Sequence, residues 1–221
     1  MNTNRKMLYR RYIPGVLVIM ISLLSSGCLS VFQEISMNQD GSVETMVRLS
    51  LSKAMMDSIS AMSGESEDTD EIFDTEKGPF NPKTNPGLTD LVVEELDNGV
   101  DIGLYFKGTL STIPPGTRPD EAPFIPFEKD NTLTIGLPSL SDEEENPPSD
   151  SDEMGAMFFA STKYQLLLDK KLYPDIHSAK VVTKGTDHPA SVTELGGNWL
   201  IEFPFIIWMQ APKGCLLIIE M

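Results

Sequence analysis

Few residues in this sequence are of a type suited to catalysis or metal binding. The 221 residues include two cysteines, Cys28 and Cys215, and two histidines, His177 and His188. Both histidines lie in polar, turn-like stretches, which favours a solvated surface role over metal ligation or general-base catalysis. Cys215 begins an apolar stretch and is most simply a small core residue. Because zinc-type, nucleophile-elbow and phosphate-loop motifs are also missing from the sequence, we predict a non-enzymatic protein without a metal or cofactor.

Carboxylates are abundant, with 33 Asp and Glu residues against 17 Lys and Arg. Many of them lie in two proline-containing stretches, at about 63–87 and 139–153. We predict that both are disordered insertions, because segments this acidic cannot bury enough apolar surface to offset their ordering entropy. From Asp150 the sequence starts like a calcium-binding loop, but Met154 and Ser161 occupy ligand positions. Diffuse divalent-ion association and a hydrolase with paired carboxylates stay open as alternatives.

The first 27 residues have the three parts of a secretory signal peptide. Four basic residues and no acids precede an apolar run of twelve residues, at 13–24. That run is too short to span a bilayer, which takes about 20 apolar residues. Small residues follow it and end at Gly27, directly before Cys28. We therefore predict a signal peptide at 1–27, cleaved after Gly27, and a single β-rich domain at 28–221.

The ending at 24–28, Leu-Ser-Ser-Gly-Cys, resembles the lipobox of bacterial lipoproteins in the relaxed form of spirochaete-like sequences. The resemblance implies that signal peptidase II removes 1–27 and that Cys28 becomes a lipidated first residue carrying palmitate-type chains. A diacylglycerol and an amide-linked chain together would anchor the protein stably. Leu29, rather than aspartate, follows the cysteine, which favours the outer membrane or cell surface over the inner membrane. A secreted protein cut near Gly27, or an uncleaved short anchor, is the alternative.

The predicted mature chain is strongly acidic. Four of the 17 basic residues lie in 1–27, so 13 remain against 33 acids, a net charge of −20. Such a surface repels nucleic-acid phosphates, and nucleic acid is excluded as a partner. Once Cys28 is acylated, Cys215 is the one remaining thiol, so we expect no intrachain disulfide. The expected partners are the membrane, through the N-terminal lipid, and a lipid or an envelope protein.

Alternating apolar and polar residues predict that strands form most of the domain. The clearest pattern is a hairpin over 29–51, whose Asp40-Gly41 turn suits positive φ angles. A short helical pattern follows at 53–62, and a long loop is expected at 112–129. The remaining strand predictions are 88–95 (or a single helical turn there), 100–111, 132–137, 164–169, 178–184, 190–194, 199–210 and 215–221. Within 199–210, Pro204 argues against an uninterrupted central strand and for a bulge, a bend or an edge position. We predict an α+β fold, a mostly antiparallel curved β-sheet with one short helix and the two acidic insertions.

The most apolar run of the mature chain, at 199–210, contains the aromatic residues that could line a ligand cavity: Trp199, Phe203, Phe205 and Trp208. For these residues we favour core and edge packing over a cavity wall. The order of lipobox, hairpin, helix, strands and then Gly-Asn-Trp before an apolar strand resembles the LppM-type lipoprotein domain. That resemblance implies a curved sheet with a lipid-sized cavity.

Three functions stay open from the sequence. The first is a membrane-anchored, non-enzymatic envelope lipoprotein that binds an apolar ligand or a protein partner. The second is a surface lipoprotein whose acidic insertions contact cationic partners or ions. The third is a carboxylate-dependent hydrolase, which would require a bell-shaped pH–rate profile.

Overall fold

The computed structural model describes residues 29–54, 57, 87–140, 161–211 and 213–221. The signal peptide, Gly27, Cys28 and nearly all of both acidic stretches lie outside the described residues. The helix predicted at 53–62 also falls mostly outside them, although Lys53, Ala54 and Asp57 are helical.

The described chain folds into a curled sheet of eleven strands, confirming the expectation of a mostly antiparallel sheet with one short helix. The strands are β1 (Leu29–Met37), β2 (Val43–Ser52), β3 (Leu88–Asp97), β4 (Asp101–Leu110), β5 (Pro126–Lys129), β6 (Thr132–Leu137), β7 (Lys163–Asp169), β8 (Ser178–Thr183), β9 (Thr186–Leu195), β10 (Asn198–Pro204) and β11 (Cys215–Glu220). Their order in the sheet is β3-β4-β2-β1-β7-β10-β9-β8-β11-β6-β5, in which β1 and β7 are parallel.

The β1–β2 hairpin is paired without a break from Leu29–Leu51 to Met37–Val43. Its turn is held by Asp40, whose Oδ1 accepts hydrogen bonds from the backbone N–H and the hydroxyl of Ser42, at 2.9 and 2.7 Å. The pairing confirms the hairpin predicted from the alternation of apolar residues.

Strand β9 joins the two halves of the sheet. Residues 186–190 of this strand pair with β8, whereas residues 191–195 pair with β10. One strand therefore belongs to both halves of the sheet, and Pro189, which has no N–H to donate, lies beside the change of partner. The halves face each other, so their inward side chains form one core. It includes Val31, Val47, Phe106, Leu133, Ile135, Leu166, Val181, Ile201, Leu217 and Ile219.

Two sequence predictions were wrong. The strand expected over 199–210 ends at Pro204, and a helix, α1 (Phe205–Met209), follows. Proline lacks the N–H that a continued ladder needs, and the chain turns so that Phe205 and Trp208, one helical turn apart, both point into the core. The loop expected over 112–129 contains β5, which pairs with β6 through a turn at Asp130 and Asn131, where φ is 51° and 59°.

Candidate ligand-binding groove

The four aromatic residues that the sequence offered as ligand-facing do not form one group. Phe203, Phe205 and Trp208 are at most 4% exposed and lie in the core. Trp208 packs edge-on against Phe205, at 5.5 Å between ring centroids, and its Nε1 donates to Pro138 O at 2.6 Å. Trp199 lies at the other end of β10, where its Nε1 donates to Tyr173 O at 2.9 Å. Their role toward a ligand stays a prediction.

A buried polar network crosses this core. Gln33 is fully buried on β1, and its Nε2 donates to Phe124 O at 2.7 Å and to Thr45 Oγ1 at 3.2 Å. The Tyr164 hydroxyl donates to Gln33 Oε1. Phe124 has φ of 64°, in the left-handed region that L-residues rarely adopt, and its carbonyl points at the glutamine amide. The network ties the loop before β5 to the centre of the sheet.

The thiol and the phenols of the core are poorly suited to acid–base chemistry. Burial raises the pKa of the Cys215 thiol to about 12. Burial also raises the pKa of the Tyr164 hydroxyl well above its usual value, and the nearby Cys215 adds a smaller increase. Both groups therefore keep their protons at neutral pH. His188 Nε2 lies 3.1 Å from Thr183 Oγ1, and His177 is exposed on the chain leading into β8. Among the described residues no group of three or more His, Cys, Asp or Glu side chains could hold a metal.

The outer face of β1, β2, β4 and β3 carries a groove of about 570 Å³. Strand pairing places Arg48 opposite Phe32 on one side and opposite Tyr105 on the other. In the next outward-facing row, Met46 lies opposite Lys107. The groove is lined by Phe32, Met46, Arg48, Val92, Glu94, Glu95, Leu96, Tyr105 and Lys107. Five apolar or aromatic side chains thus share the groove with four charged ones, and small-molecule sites also combine apolar walls with placed polar groups.

Arg48 is the unusual member of this groove. Its Nε is buried and has no hydrogen-bond acceptor, and no ion pair to Arg48 is found in the described part of the chain. A buried N–H without an acceptor costs about 1–3 kcal/mol. An acceptor supplied by a ligand would recover that free energy, so the groove favours a molecule that brings an anionic or other acceptor group.

The other charges of the groove differ in how they are compensated. Lys107 Nζ lies 2.8 Å from Glu44 Oε1, and the hydrogen bond to Glu44 raises the pKa of Lys107. Glu94 and Glu95 lie on β3, an edge strand of the sheet, and form no ion pair with described residues. The lysine is therefore already neutralised by protein, whereas Arg48 has no ion-pair partner among the described residues. The two glutamates are likewise unpaired and oppose the attraction of Arg48 for an anionic group.

The groove does not follow from the alternation of apolar and polar residues along its strands. Recognising the groove requires the pairing of β2 with β4, which are separated by the acidic stretch and β3. An arginine among outward-facing Phe, Met and Tyr residues was the available signal.

Comparison of the chain with models of protein families, with curated proteins and with solved structures gave no match. None of the helices in the described part of the chain has the length and hydropathy of a membrane-spanning segment.

Proposed function

We propose that this chain is a lipid-anchored, non-enzymatic protein of the bacterial envelope that binds an amphipathic ligand in the Arg48 groove. The N-terminal sequence supports the anchor through its basic residues, short apolar run and lipobox-like ending at Cys28. The observation that carries the binding role is the unpaired, buried Arg48 Nε in a groove with five apolar or aromatic side chains. The groove volume of about 570 Å³ also lies within the usual range for small ligands, about 300–1,000 Å³.

The chemistry of the lining defines the ligand class. Phe32, Met46 and Leu96 offer apolar contact, and Arg48 offers N–H donors with a positive charge. A fatty acid or another lipid with an acidic headgroup has both complementary parts. Charge-assisted hydrogen bonds to such a group contribute about 1.5–3 kcal/mol, enough for roughly tenfold or more in affinity.

Native mass spectrometry tests the binding role. Residues 29–221 are produced in a bacterial host and purified without detergent, as the unchanged sequence and as Arg48→Gln. Arg118→Gln is the matched control, because Arg118 is exposed in a loop and paired with Asp120 and Glu121. We expect a lipid-sized mass on the unchanged protein and on the control, and about tenfold less on Arg48→Gln. A bare protein mass in all three would contradict ligand binding.

The net charge of −20 predicted for the mature chain supports a second candidate, contact between the acidic stretches and a cationic partner. Long-range attraction of this kind weakens as salt screens it. Deletion of 63–87 and 139–153 should abolish salt-sensitive binding of an oligolysine peptide, whereas Arg48→Gln should leave it unchanged. Equal oligolysine binding with and without the two stretches would count against this candidate.

A further inference from the structure

The described fold begins one residue after the proposed lipidation site. β1 starts at Leu29, which is already paired with Leu51. One peptide bond joins Leu29 to Cys28, and consecutive Cα atoms are about 3.8 Å apart. If Cys28 carries the anchor proposed above, on which this inference rests, no linker separates the bilayer from the sheet. The lipid then determines which end of the sheet faces the membrane.

Strand pairing identifies the residues at that end. Leu51 is opposite Ile102 on β4, and Ile102 is opposite Asp97 on β3. The turn between β3 and β4 therefore projects from the end at which β1 begins. The Lys53 N–H donates to Val100 O at 2.9 Å, which ties this turn to the end of β2.

The parallel strand β7 and its partner β10 place further residues at the same end. β7 starts beside the beginning of β1, and its first residue, Lys163, lies opposite Pro204 at the end of β10. Helix α1 follows directly, and Phe205 N donates to Thr162 O at 2.9 Å. We call this region the anchor end and define it by Leu29, Lys53, Val100, Lys163 and Pro204.

The β3–β4 turn presents an apolar side chain at the anchor end. Val100 is 68% exposed, although its N–H is satisfied within the turn by Asn98 Oδ1 at 2.9 Å. The same oxygen accepts from Asp101 N at 2.7 Å, and Gly99 supplies the positive φ of 84°. Two backbone N–H groups of the turn thus already have an acceptor inside it, which lowers the free-energy cost of moving the turn into a membrane interface.

The charges beside Val100 also suit a membrane surface. Asp97 and Asp101 flank the turn, and Lys53 Nζ lies 2.8 Å from Asp97 Oδ1, so the lysine offsets one of these two acids. We propose that the anchor end rests on the bilayer and that Val100 enters the interfacial layer. Its contact adds apolar burial to the lipid anchor.

The opposite end of the sheet provides a matched comparison. Leu195 is 55% exposed at the β9–β10 turn and pairs with Asn198, which in turn lies opposite Asp169 at the end of β7. A strand rises about 3.3 Å per residue, so the nine residues of β1 separate the two ends by roughly 26 Å. Two exposed apolar residues thus lie at opposite ends of one sheet.

Depth-dependent fluorescence tests the orientation. The lipidated full chain is produced as Val100→Cys and as Leu195→Cys, labelled with an environment-sensitive fluorophore and placed in phosphatidylcholine–phosphatidylglycerol vesicles containing a spin-labelled lipid. Cys215 should not take up label, because it is 5% exposed; the unsubstituted protein checks this. Flotation with the vesicles reports the anchor independently of the fluorophore.

We expect floating protein in which quenching at position 100 exceeds quenching at position 195 by at least about threefold, given a separation of roughly 26 Å. Equal quenching at the two positions, or stronger quenching at 195, in protein that floats would overturn the orientation and leave the anchor intact. Protein that does not float would overturn the anchor and the orientation together. Matching circular dichroism spectra of the two variants control for folding.

Discussion

Arg48 lies opposite Tyr105 across the β2–β4 pair, on the outer face of the sheet, with Phe32 as its neighbour on β1. The guanidinium group is therefore positioned by three strands, and yet its buried Nε has no acceptor. Natural proteins satisfy most buried donors, so an unsatisfied donor in a groove is a reason to look for a ligand. The pairing of β2 with β1 and β4 thus places an unsatisfied donor in the groove, which supports the proposed binding role.

The unsatisfied donor should lower the stability of the ligand-free protein. Replacing Arg48 with Met removes the donor and keeps an unbranched apolar chain over the groove. We expect the free energy of unfolding to stay level or rise by up to about 1 kcal/mol, while ligand binding is lost. Urea unfolding of ligand-free protein measures this, with Arg118→Met as an exposed control that should change by less than about 0.5 kcal/mol. A loss of more than about 1 kcal/mol in Arg48→Met would mean that the arginine stabilises the fold itself.

The network around Gln33 should contribute to stability rather than to binding. Tyr164→Phe keeps the ring and removes the hydroxyl that donates to Gln33 Oε1, leaving a buried acceptor unsatisfied. We expect a loss of about 1–3 kcal/mol in the free energy of unfolding, measured by urea denaturation. Tyr105→Phe is the control and should cost less than about 0.5 kcal/mol, because Tyr105 is only half-buried. Equal costs for the two changes would show that the buried bond contributes little.

Local sequence signals predicted much of this fold because hairpins are specified by neighbouring residues. The alternation along β1 and β2 and the Asp40–Gly41 turn are examples. The end of β10 was missed although Pro204 had marked a break, because the helical conformation after it depends on where Phe205 and Trp208 find core partners. Apolar alternation alone cannot distinguish such a helix from a continued strand.

The groove was less predictable than the strands that form it. Phe32, Arg48 and Tyr105 become neighbours only through a sheet order in which β2 lies between β1 and β4. Hydrophobic periodicity indicates which residues of a strand share a face, but it carries no information on which strand lies beside Arg48. The sequence instead suggested the aromatic residues Trp199, Phe203, Phe205 and Trp208 as ligand-facing, and the last three of these are core residues.

The lipid anchor can be tested independently of the groove. In a bacterial host, Cys28→Ala should lose incorporation of labelled palmitate and accumulate as an uncut precursor, because the thiol that accepts the lipid is absent. Cys215→Ala is the matched control: it removes the other cysteine, which is buried, and should be acylated and processed normally. Intact mass and membrane fractionation provide the readouts. A Cys28→Ala protein that is still cut and held in the membrane would show that the lipobox interpretation is wrong.

Buried groups with raised pKa values should make the fold sensitive to alkali. Burial raises the pKa of Cys215 from 9.0 to about 12, and burial raises that of Tyr173 from 10.0 to about 12. Between these values the unfolded chain loses protons that the native protein retains. The native state then binds more protons, so the contribution of these two groups to the free energy of unfolding is constant below about pH 9 and falls as the pH rises toward 12.

Cys215→Ala removes one of these groups and should make the fall shallower by up to about 1.4 kcal/mol per pH unit. Urea unfolding at about pH 8 and about pH 10.5 measures the difference, and the value at the lower pH separates it from the packing cost of a smaller side chain, about 1 kcal/mol. Because the tyrosines stay in place, some alkaline loss should persist in the variant. Identical slopes in the two proteins would mean that the Cys215 thiol ionises in the native state as readily as in the unfolded chain.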